Sequence, residues 1–407
     1  IMKRTLILLV SLLALTLSAC GKDISTESTG RSETASSPTA MGSALQENLP
    51  FVTVGLGIRY YPDPTNDGLY YADGRALAYL DLTSGGMAVL CPQIGCRHNS
   101  GSCPAYLDDA CGMAVYGGTV YTIQEDGRAL KVVCFQPGQI ARSEVCRSIG
   151  SDNTYMQYGA AKFSHGNILL TAVATDLEDE QMYHLYLIRV GNGTVTELTS
   201  WPDTESARVL GASVHAAVVE FDTYTGQPPQ RSAYSSDEDY IAAWDTFRLE
   251  NGVTELRLYD LNDGTYHVLA DSKADGYAYS VDPHLAYDGK LLYQLGDELW
   301  LYDLSDGTAS LQLKQTNVVN YFILDSRIFT ITRNGEDGYA FYCTDIGGKT
   351  VPLSNDGYTD YLRFTPTWET ASYFIGIYES NSGYYQISKA DFYAGNYKSA
   401  ALLSTWE

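Results

Sequence analysis

The chain has 407 residues, with 49 acidic and 26 basic side chains and a net charge of −23 at neutral pH. A protein this acidic is repelled by phosphate backbones and anionic lipid, which argues against nucleic acid as a partner and against a polybasic membrane contact. Cations, neutral glycans and basic proteins remain compatible with this charge.

The N-terminus has the pattern of a secretory signal. Lys3 and Arg4 precede an apolar run over residues 6–17, which is too short to span a bilayer comfortably. The tetrad that ends at Cys20 resembles the lipobox of bacterial lipoproteins, which implies cleavage before Cys20 and a diacylglycerol on its thiol. We therefore predict a signal peptide over residues 1–19 and a lipid anchor at the extracytoplasmic face of the cell membrane. An ordinary signal peptide that happens to end near a cysteine is the alternative.

The segment after Cys20 is small, polar and rich in Ser and Thr. It has almost nothing to bury, so we predict a disordered tether over residues 20–49. The folded domain is then expected over residues 50–407.

The rest of the chain has the composition of an all-β fold. Its apolar residues show almost no helical period, its 33 tyrosines lie in short strand-like runs, and Gly-Asp and Asn-Gly turns separate the runs. One unit recurs: a strand that ends in aromatics, a turn, a second strand, then Asp and a Gly turn. The copies begin at Leu69, Gly118, Asn167, His215, Leu291, Ile328 and Tyr373. In the fourth copy, residues 240–244 are an alternative first strand.

Seven copies of roughly 50 residues predict a seven-bladed β-propeller, in which each sheet buries its apolar faces against its neighbours. The interval from Gly193 to Gly264 is much longer than that from Gly264 to Gly307, which places an insertion at about residues 221–245. Eight blades remain an alternative if this insertion is itself a blade. Residues 400–404 are predicted to form an outermost strand.

The repeat pattern, clearest over residues 69–85, is similar to the β-propeller domain of unknown function found in many Gram-positive lipoproteins. That domain is itself compared with receptor propellers that carry a Tyr-Trp-Thr-Asp repeat, of which residues 70–73 and 342–345 are diverged versions. The resemblance covers the folded part and implies a propeller. It brings no function with it.

Four cysteines lie close together after the first copy. Cys91, Cys96, His98 and Cys103 form a Cys-x4-Cys-x-His-x4-Cys run, and Cys111 follows. Nested disulfides, Cys91 to Cys111 and Cys96 to Cys103, would staple a long loop in an exported protein. Alternatively, three thiolates and the His98 imidazole would supply a closed tetrahedral shell for a structural zinc ion.

Three further cysteines and two acidic tips complete the candidates. Cys134 and Cys146 flank a hairpin turn and are predicted to form a cross-strand bridge, whereas Cys343 is expected to be a small buried apolar residue. Residues 176–180 and 235–239 are acidic turns that would bind calcium or supply paired carboxylates, or else remain solvated tips.

No catalytic motif is present, so we predict a non-catalytic binding or scaffold module that displays the propeller to an extracellular protein or glycan. An accessory role in an envelope assembly rests on fold analogy alone. The alternative from the enzyme class is a carbohydrate-active propeller with carboxylates at its central channel.

Overall fold

The computed structural model describes residues 49–50, 52–53, 59–63, 66–73, 76–107, 110–139, 142–150, 154–176, 180–278, 284–335, 338–353, 364–378 and 383–405. The predicted signal peptide, Cys20 and all but the last residue of the predicted tether lie outside this part of the chain. Among the described residues, no helix has the length and apolarity that a membrane crossing requires.

The described strands form seven antiparallel sheets, each built mainly from strands that are consecutive in the chain, and each sheet is one blade. Blade 1 contains β3 Arg59–Asp63, β4 Gly68–Asp73, β5 Ala76–Asp81 and β6 Met87–Val89. Blade 2 contains β7 Ala110–Tyr116, β8 Thr119–Asp126, β9 Ala129–Phe135 and β10 Arg142–Ile149. Blade 3 contains β11 Tyr155–Ser164, β12 Asn167–Thr175, β13 Gln181–Arg189 and β14 Thr194–Pro202.

The remaining four blades continue in chain order. Blade 4 contains β15 Ser206–Ala212, β16 Ala216–Tyr224, β17 Gly252–Asp260 and β18 Tyr266–Asp271. Blade 5 contains β19 Tyr277–Ala278, β20 Ala286–Tyr287, β21 Lys290–Leu295, β22 Glu298–Asp303 and β23 Ala309–Lys314. Blade 6 contains β24 Val318–Leu324, β25 Arg327–Asn334, β26 Gly338–Asp345 and β27 Thr350–Pro352, and blade 7 contains β28 Phe364–Glu369, β29 Tyr373–Tyr378, β30 Gly383–Ser388 and β31 Ala401–Thr405.

The predicted all-β, seven-bladed propeller is therefore confirmed. The repeat found in the sequence corresponds to the second and third strands of every blade, where β19 and β20 of blade 5 count as one divided first strand. Strand β31 is the outermost strand predicted near the C-terminus. In blade 4, the copy that begins at His215 corresponds to β16. The alternative strand over residues 240–244 is wrong, because these residues are helical. The insertion adds no eighth sheet to the described part of the chain.

The apolar residues between neighbouring blades hold the ring together. Phe163 of blade 3 stacks on Tyr116 of blade 2, with ring centroids 4.4 Å apart. Val218 of blade 4 and Leu291 of blade 5 belong to another such layer and are fully buried. At about 25 cal/mol for each Å² of apolar surface buried, these layers are the main stabilising term of the fold.

The first strands of successive blades adjoin around the centre of the ring, including β28 of blade 7 beside β3 of blade 1. The strands β1 Leu49–Pro50 and β2 Val52–Thr53 add to the inner edges of blades 3 and 2, by pairing with β11 and β7. Strands β1 and β2 therefore occupy part of the inner surface, where the enzyme alternative places its carboxylates.

In the described part of the chain, two helices interrupt the all-β pattern. Helix α1, Asp237–Asn251, forms most of the insertion in blade 4, and α2, Lys389–Tyr393, follows β30. Short 3-10 turns lie at Arg231–Ala233 and Tyr397–Ser399. Ser236 caps α1 by accepting a hydrogen bond from the Asp239 backbone N–H, and the acidic first turn favours the positive end of the helix dipole. The acidic segment 235–239 is thus a helix start and no calcium loop.

Candidate active site and metal centre

Cys91, Cys96, His98 and Cys103, here called the Cys3His cluster, converge in the connection between blades 1 and 2. One donor atom from each residue lies within 4.8 Å of the other three. His98 Nδ1 lies 3.3 Å from Cys103 Sγ. The structure therefore brings together all four residues that the sequence nominated.

Two backbone turns produce this convergence. Gly95 and His98 both adopt positive φ, 74° and 55°, which reverses the chain on either side of Cys96. The Cys103 backbone N–H closes a further turn on the Ser100 carbonyl at 2.9 Å. The backbone N–H of His98 lowers the pKa of the Cys96 thiol by hydrogen bonding to its sulfur, which favours the thiolate.

The other cysteines lie apart from the Cys3His cluster. Cys111 is on β7, where its thiol donates to the Ile123 carbonyl at 3.1 Å, and burial raises its pKa to about 12. In the β9–β10 hairpin, Cys134 faces Ser143 and Cys146 faces Val132. The seven described cysteines are all free thiols, so the structure contains neither the nested disulfides nor the predicted Cys134–Cys146 bridge. Cys343 is buried on β26, as expected for an apolar role.

A second feature is a cleft of about 580 Å³ at the junction of blades 4 and 5. It is bounded by β16, β17, helix α1 and the connection into blade 5, and the innermost strand β15 contributes nothing to it. We call it the blade 4–5 cleft. Its charged and aromatic walls are formed by Asp222, Tyr224, Asp245, Arg248, Lys273 and Tyr277.

Asp222 is held firmly at one wall of the cleft. Thr254 Oγ1 donates to its Oδ1 at 2.6 Å, and Ser206 Oγ donates to its Oδ2 at 2.9 Å. These partners lie on β17 and β15, which flank β16 in the sheet. Because each carboxylate oxygen already accepts one hydrogen bond, the group is oriented before any ligand arrives.

Glu220 lies behind this wall, two residues before Asp222 on the same face of β16. It is 8% exposed and contacts Arg208 at 3.0 Å. The Tyr277 hydroxyl donates to Glu220 Oε2 at 2.6 Å, so Tyr277 connects the buried carboxyl to the cleft. Burial raises the pKa of Glu220 and outweighs the opposing effect of Arg208.

Tyr277 keeps its proton under ordinary conditions. Burial is the largest cause and the nearby Glu220 carboxylate the second, and both raise the pKa of Tyr277 well above the usual range for tyrosine. The pair is therefore a buried acid joined by a short hydrogen bond to a tyrosine that lines the cleft.

Helix α1 covers the cleft through aromatic contacts. Trp244 and Phe247 stack on each other with centroids 5.5 Å apart, and both pack on Tyr224 at the end of β16. Asp245 and Arg248 project from the same helix into the lining. The helix thus adds one carboxylate and one cation to the site.

Glu220, Asp222 and Tyr277 were not predicted from the sequence as site residues. The signal that could have found two of them is the alternation along β16, where Val218, Glu220, Asp222 and Tyr224 share one face and change from apolar to polar toward the strand end. At the other predicted acidic tip, the Asp176 N–H donates to the Glu180 carbonyl, and the Glu180 N–H donates to Asp176 Oδ1. These bonds close the turn between β12 and β13, and residues 177–179 lie outside the described part.

No family model and no curated protein match this sequence. Among solved structures, the acylaminoacyl peptidase of Pyrococcus horikoshii is 11% identical with a TM-score of 0.48, and the match covers 86% of this chain and 53% of the peptidase. The propeller domain of the Trilobed protease from Pyrococcus furiosus, described as having an open velcro topology, is 11% identical with a TM-score of 0.47 over 86% of this chain and 99% of that domain. A puromycin hydrolase is 13% identical with a TM-score of 0.44 over 88% of this chain and 53% of the hydrolase.

At these identities the likeness concerns the fold alone, and this chain spans about half the length of the acylaminoacyl peptidase. The prediction of a non-catalytic binding or scaffold module finds no support in these comparisons, because the similar proteins are named as a peptidase, a protease and a hydrolase, and we do not keep it. The enzyme alternative placed its carboxylates at the central channel, whereas the described cleft lies between two blades.

Proposed function

We propose that this propeller is a carbohydrate-active enzyme that hydrolyses a glycosidic bond in the blade 4–5 cleft. The observation that carries the proposal is the pairing of an oriented carboxylate, Asp222, with a buried carboxyl of raised pKa, Glu220, joined to the cleft by Tyr277. Two carboxyl groups with different proton affinities are what glycoside hydrolysis requires. Tyr224 lines the cleft and offers aromatic surface for a sugar ring.

The proton path follows from the hydrogen bond between Glu220 and Tyr277. When Glu220 is protonated, it donates to the Tyr277 oxygen, and the Tyr277 hydroxyl hydrogen is free to face the cleft. The Tyr277 proton then passes to the glycosidic oxygen while the Glu220 proton replaces it, and the bond from that oxygen to the anomeric carbon breaks. Water adds to the anomeric carbon, and Asp222 accepts the proton that the water loses.

The proposal predicts how activity depends on pH. The acid must be protonated, so the rate falls as pH rises through the pKa of Glu220, which lies above its ordinary value of 4.5. The base must be ionised for it to accept a proton, so the rate is also expected to fall at low pH.

The test measures reducing ends released from a panel of neutral and acidic polysaccharides by the full chain. We expect Asp222→Asn and Glu220→Gln each to lower the rate by roughly 10²- to 10⁴-fold. Tyr277→Phe should lower it similarly without removing a carboxyl. The matched control is Glu255→Gln, on β17 but on the opposite face of blade 4, where Glu255 pairs with Arg257. Absence of hydrolysis by the wild-type chain, or rates in the cleft variants equal to that of Glu255→Gln, would show that the proposal is wrong.

We further propose that the enzyme is anchored by a diacylglycerol on Cys20 at the extracytoplasmic face of the membrane, as the N-terminal sequence pattern indicates. A single diacylated cysteine anchors strongly because each buried methylene contributes about 0.8 kcal/mol. Metabolic labelling with a radioactive fatty acid should label the wild-type chain but not Cys20→Ser, which should be released into the medium. Equal labelling of both chains would contradict the anchor.

A further inference from the structure

We infer that the Cys3His cluster binds one structural zinc ion, which closes the loop of residues 91–103 and fixes the connection between blades 1 and 2. This site is independent of the proposed hydrolysis, since it lies in different blades from the blade 4–5 cleft.

The donor set suits zinc by type and by number. Thiolates and imidazole are the ligands of structural zinc sites, at about 2.3 Å for sulfur and about 2.0 Å for nitrogen. With three sulfurs and one nitrogen, a tetrahedron with these bond lengths separates its donor atoms by roughly 3.5 to 3.8 Å. The four donor atoms all lie within 4.8 Å of one another, and His98 Nδ1 is 3.3 Å from Cys103 Sγ. Small side-chain adjustments therefore complete the shell.

The protein supplies all four ligands, which leaves no open position for water or substrate. A closed shell of this kind is structural, because a catalytic zinc keeps one position for a reacting molecule. We accordingly assign the ion a structural role and no part in the hydrolysis.

Apart from the packing of Cys91 and Cys96 against the core and a hydrogen bond from Gln93 Nε2 to the Ser102 carbonyl at 3.2 Å, few contacts hold the loop in place. Residues 91–102 form no helix or strand, most of them are exposed, and the side chain of Ile94 is fully exposed. The backbone hydrogen bonds inside the loop join residues three apart, such as that from the Cys96 N–H to the Gln93 carbonyl at 3.3 Å. A loop without a core of its own is ordered by a crosslink or a metal, and the cysteines here are free thiols.

The end of the loop carries a connection between the two blades. Cys103 and residues 104–107 are buried, and the Ala105 carbonyl accepts a hydrogen bond from Leu77 N–H on β5 at 2.8 Å. Arg142 on β10 of blade 2 donates to the Pro104 carbonyl at 2.9 Å and also to the Tyr106 carbonyl. The metal would hold Cys103 in the position from which this segment joins β5 to β10.

The experiment is metal analysis of the full chain purified without chelator or reductant. We expect about one zinc per chain in the wild type and at least a fivefold lower content in Cys96→Ser and in His98→Asn. Asn is chosen at position 98 because it tolerates positive φ. Cys134→Ser, a free thiol outside the cluster, is the matched control and should retain the wild-type zinc content.

A second measurement does not depend on how the variants fold. Removal of the metal from the wild-type chain by a chelator should speed amide hydrogen exchange in residues 91–107 and leave the exchange of blades 4 and 5 unchanged. A wild-type chain without metal, a different metal in place of zinc, or a disulfide between any two of Cys91, Cys96 and Cys103 would overturn the assignment.

Discussion

Lys389 shows how a buried charge is accommodated between blades 6 and 7. Its Nζ lies 2.7 Å from Glu369 Oε2 and 3.0 Å from Asp325 Oδ1, and Tyr393 donates to the other Asp325 oxygen at 2.9 Å. Burial alone lowers the pKa of Lys389, but the Glu369 and Asp325 carboxylates outweigh burial and raise it. The ammonium group is therefore more strongly protonated in the folded chain than in the unfolded one.

This ion pair predicts a loss of stability at alkaline pH. Because the folded pKa of Lys389 exceeds the unfolded value, the contribution of Lys389 is complete below pH 10.5 and disappears as pH rises through the folded pKa. Lys389→Met should lower the free energy of unfolding by about 3 to 5 kcal/mol at neutral pH, since Glu369 remains buried without its partner. Lys314→Met, which removes an exposed pair with Glu298, should cost less than about 1 kcal/mol. Urea unfolding at neutral pH and above pH 10.5 measures these effects. Equal losses of stability in the two variants would refute the argument.

At the scale of elements, the repeat predicted the blades well because its motif lies in the two middle strands, whose packing demands are the same in every sheet. The short outer strand β6 and the divided first strand of blade 5 carry no such motif and were not predicted. Helix α1 was missed because only Trp244 and Phe247 stack on the propeller, so the helix presents no continuous apolar stripe.

The two candidate sites differ in how far the sequence could predict them. The Cys3His cluster comes from one short segment, so local spacing was sufficient to nominate its residues. The blade 4–5 cleft joins Glu220 to Tyr277 across two blades, and that contact depends on how neighbouring sheets pack. Nothing in the spacing of these two residues indicates that they meet.

At the scale of the whole molecule, the described strands close the ring without a sheet shared between its ends. Blade 1 contains only β3–β6, and blade 7 contains only β28–β31. The two blades are joined by packing of Leu69 against Ile375 and by the Asp67 side chain. Asp67 Oδ1 accepts hydrogen bonds from Ser372 N–H at 2.7 Å and from Thr370 Oγ1 at 3.1 Å. Among the described residues, the seam therefore depends on side-chain packing and these two hydrogen bonds, and no backbone ladder crosses it.

Asp67→Ala should weaken this seam specifically. It leaves the Ser372 N–H and the buried Thr370 hydroxyl without their acceptor, which costs about 1 to 3 kcal/mol. The matched control is Asp263→Ala, because Asp263 also accepts from a backbone N–H and a threonine hydroxyl, but within a single turn of blade 4. We expect the thermal midpoint to fall several degrees further in Asp67→Ala than in Asp263→Ala, and hydrogen exchange to rise first in blades 1 and 7. A uniform rise in exchange over all blades would indicate that the ring unfolds as one unit and that the seam is no weaker than any other junction.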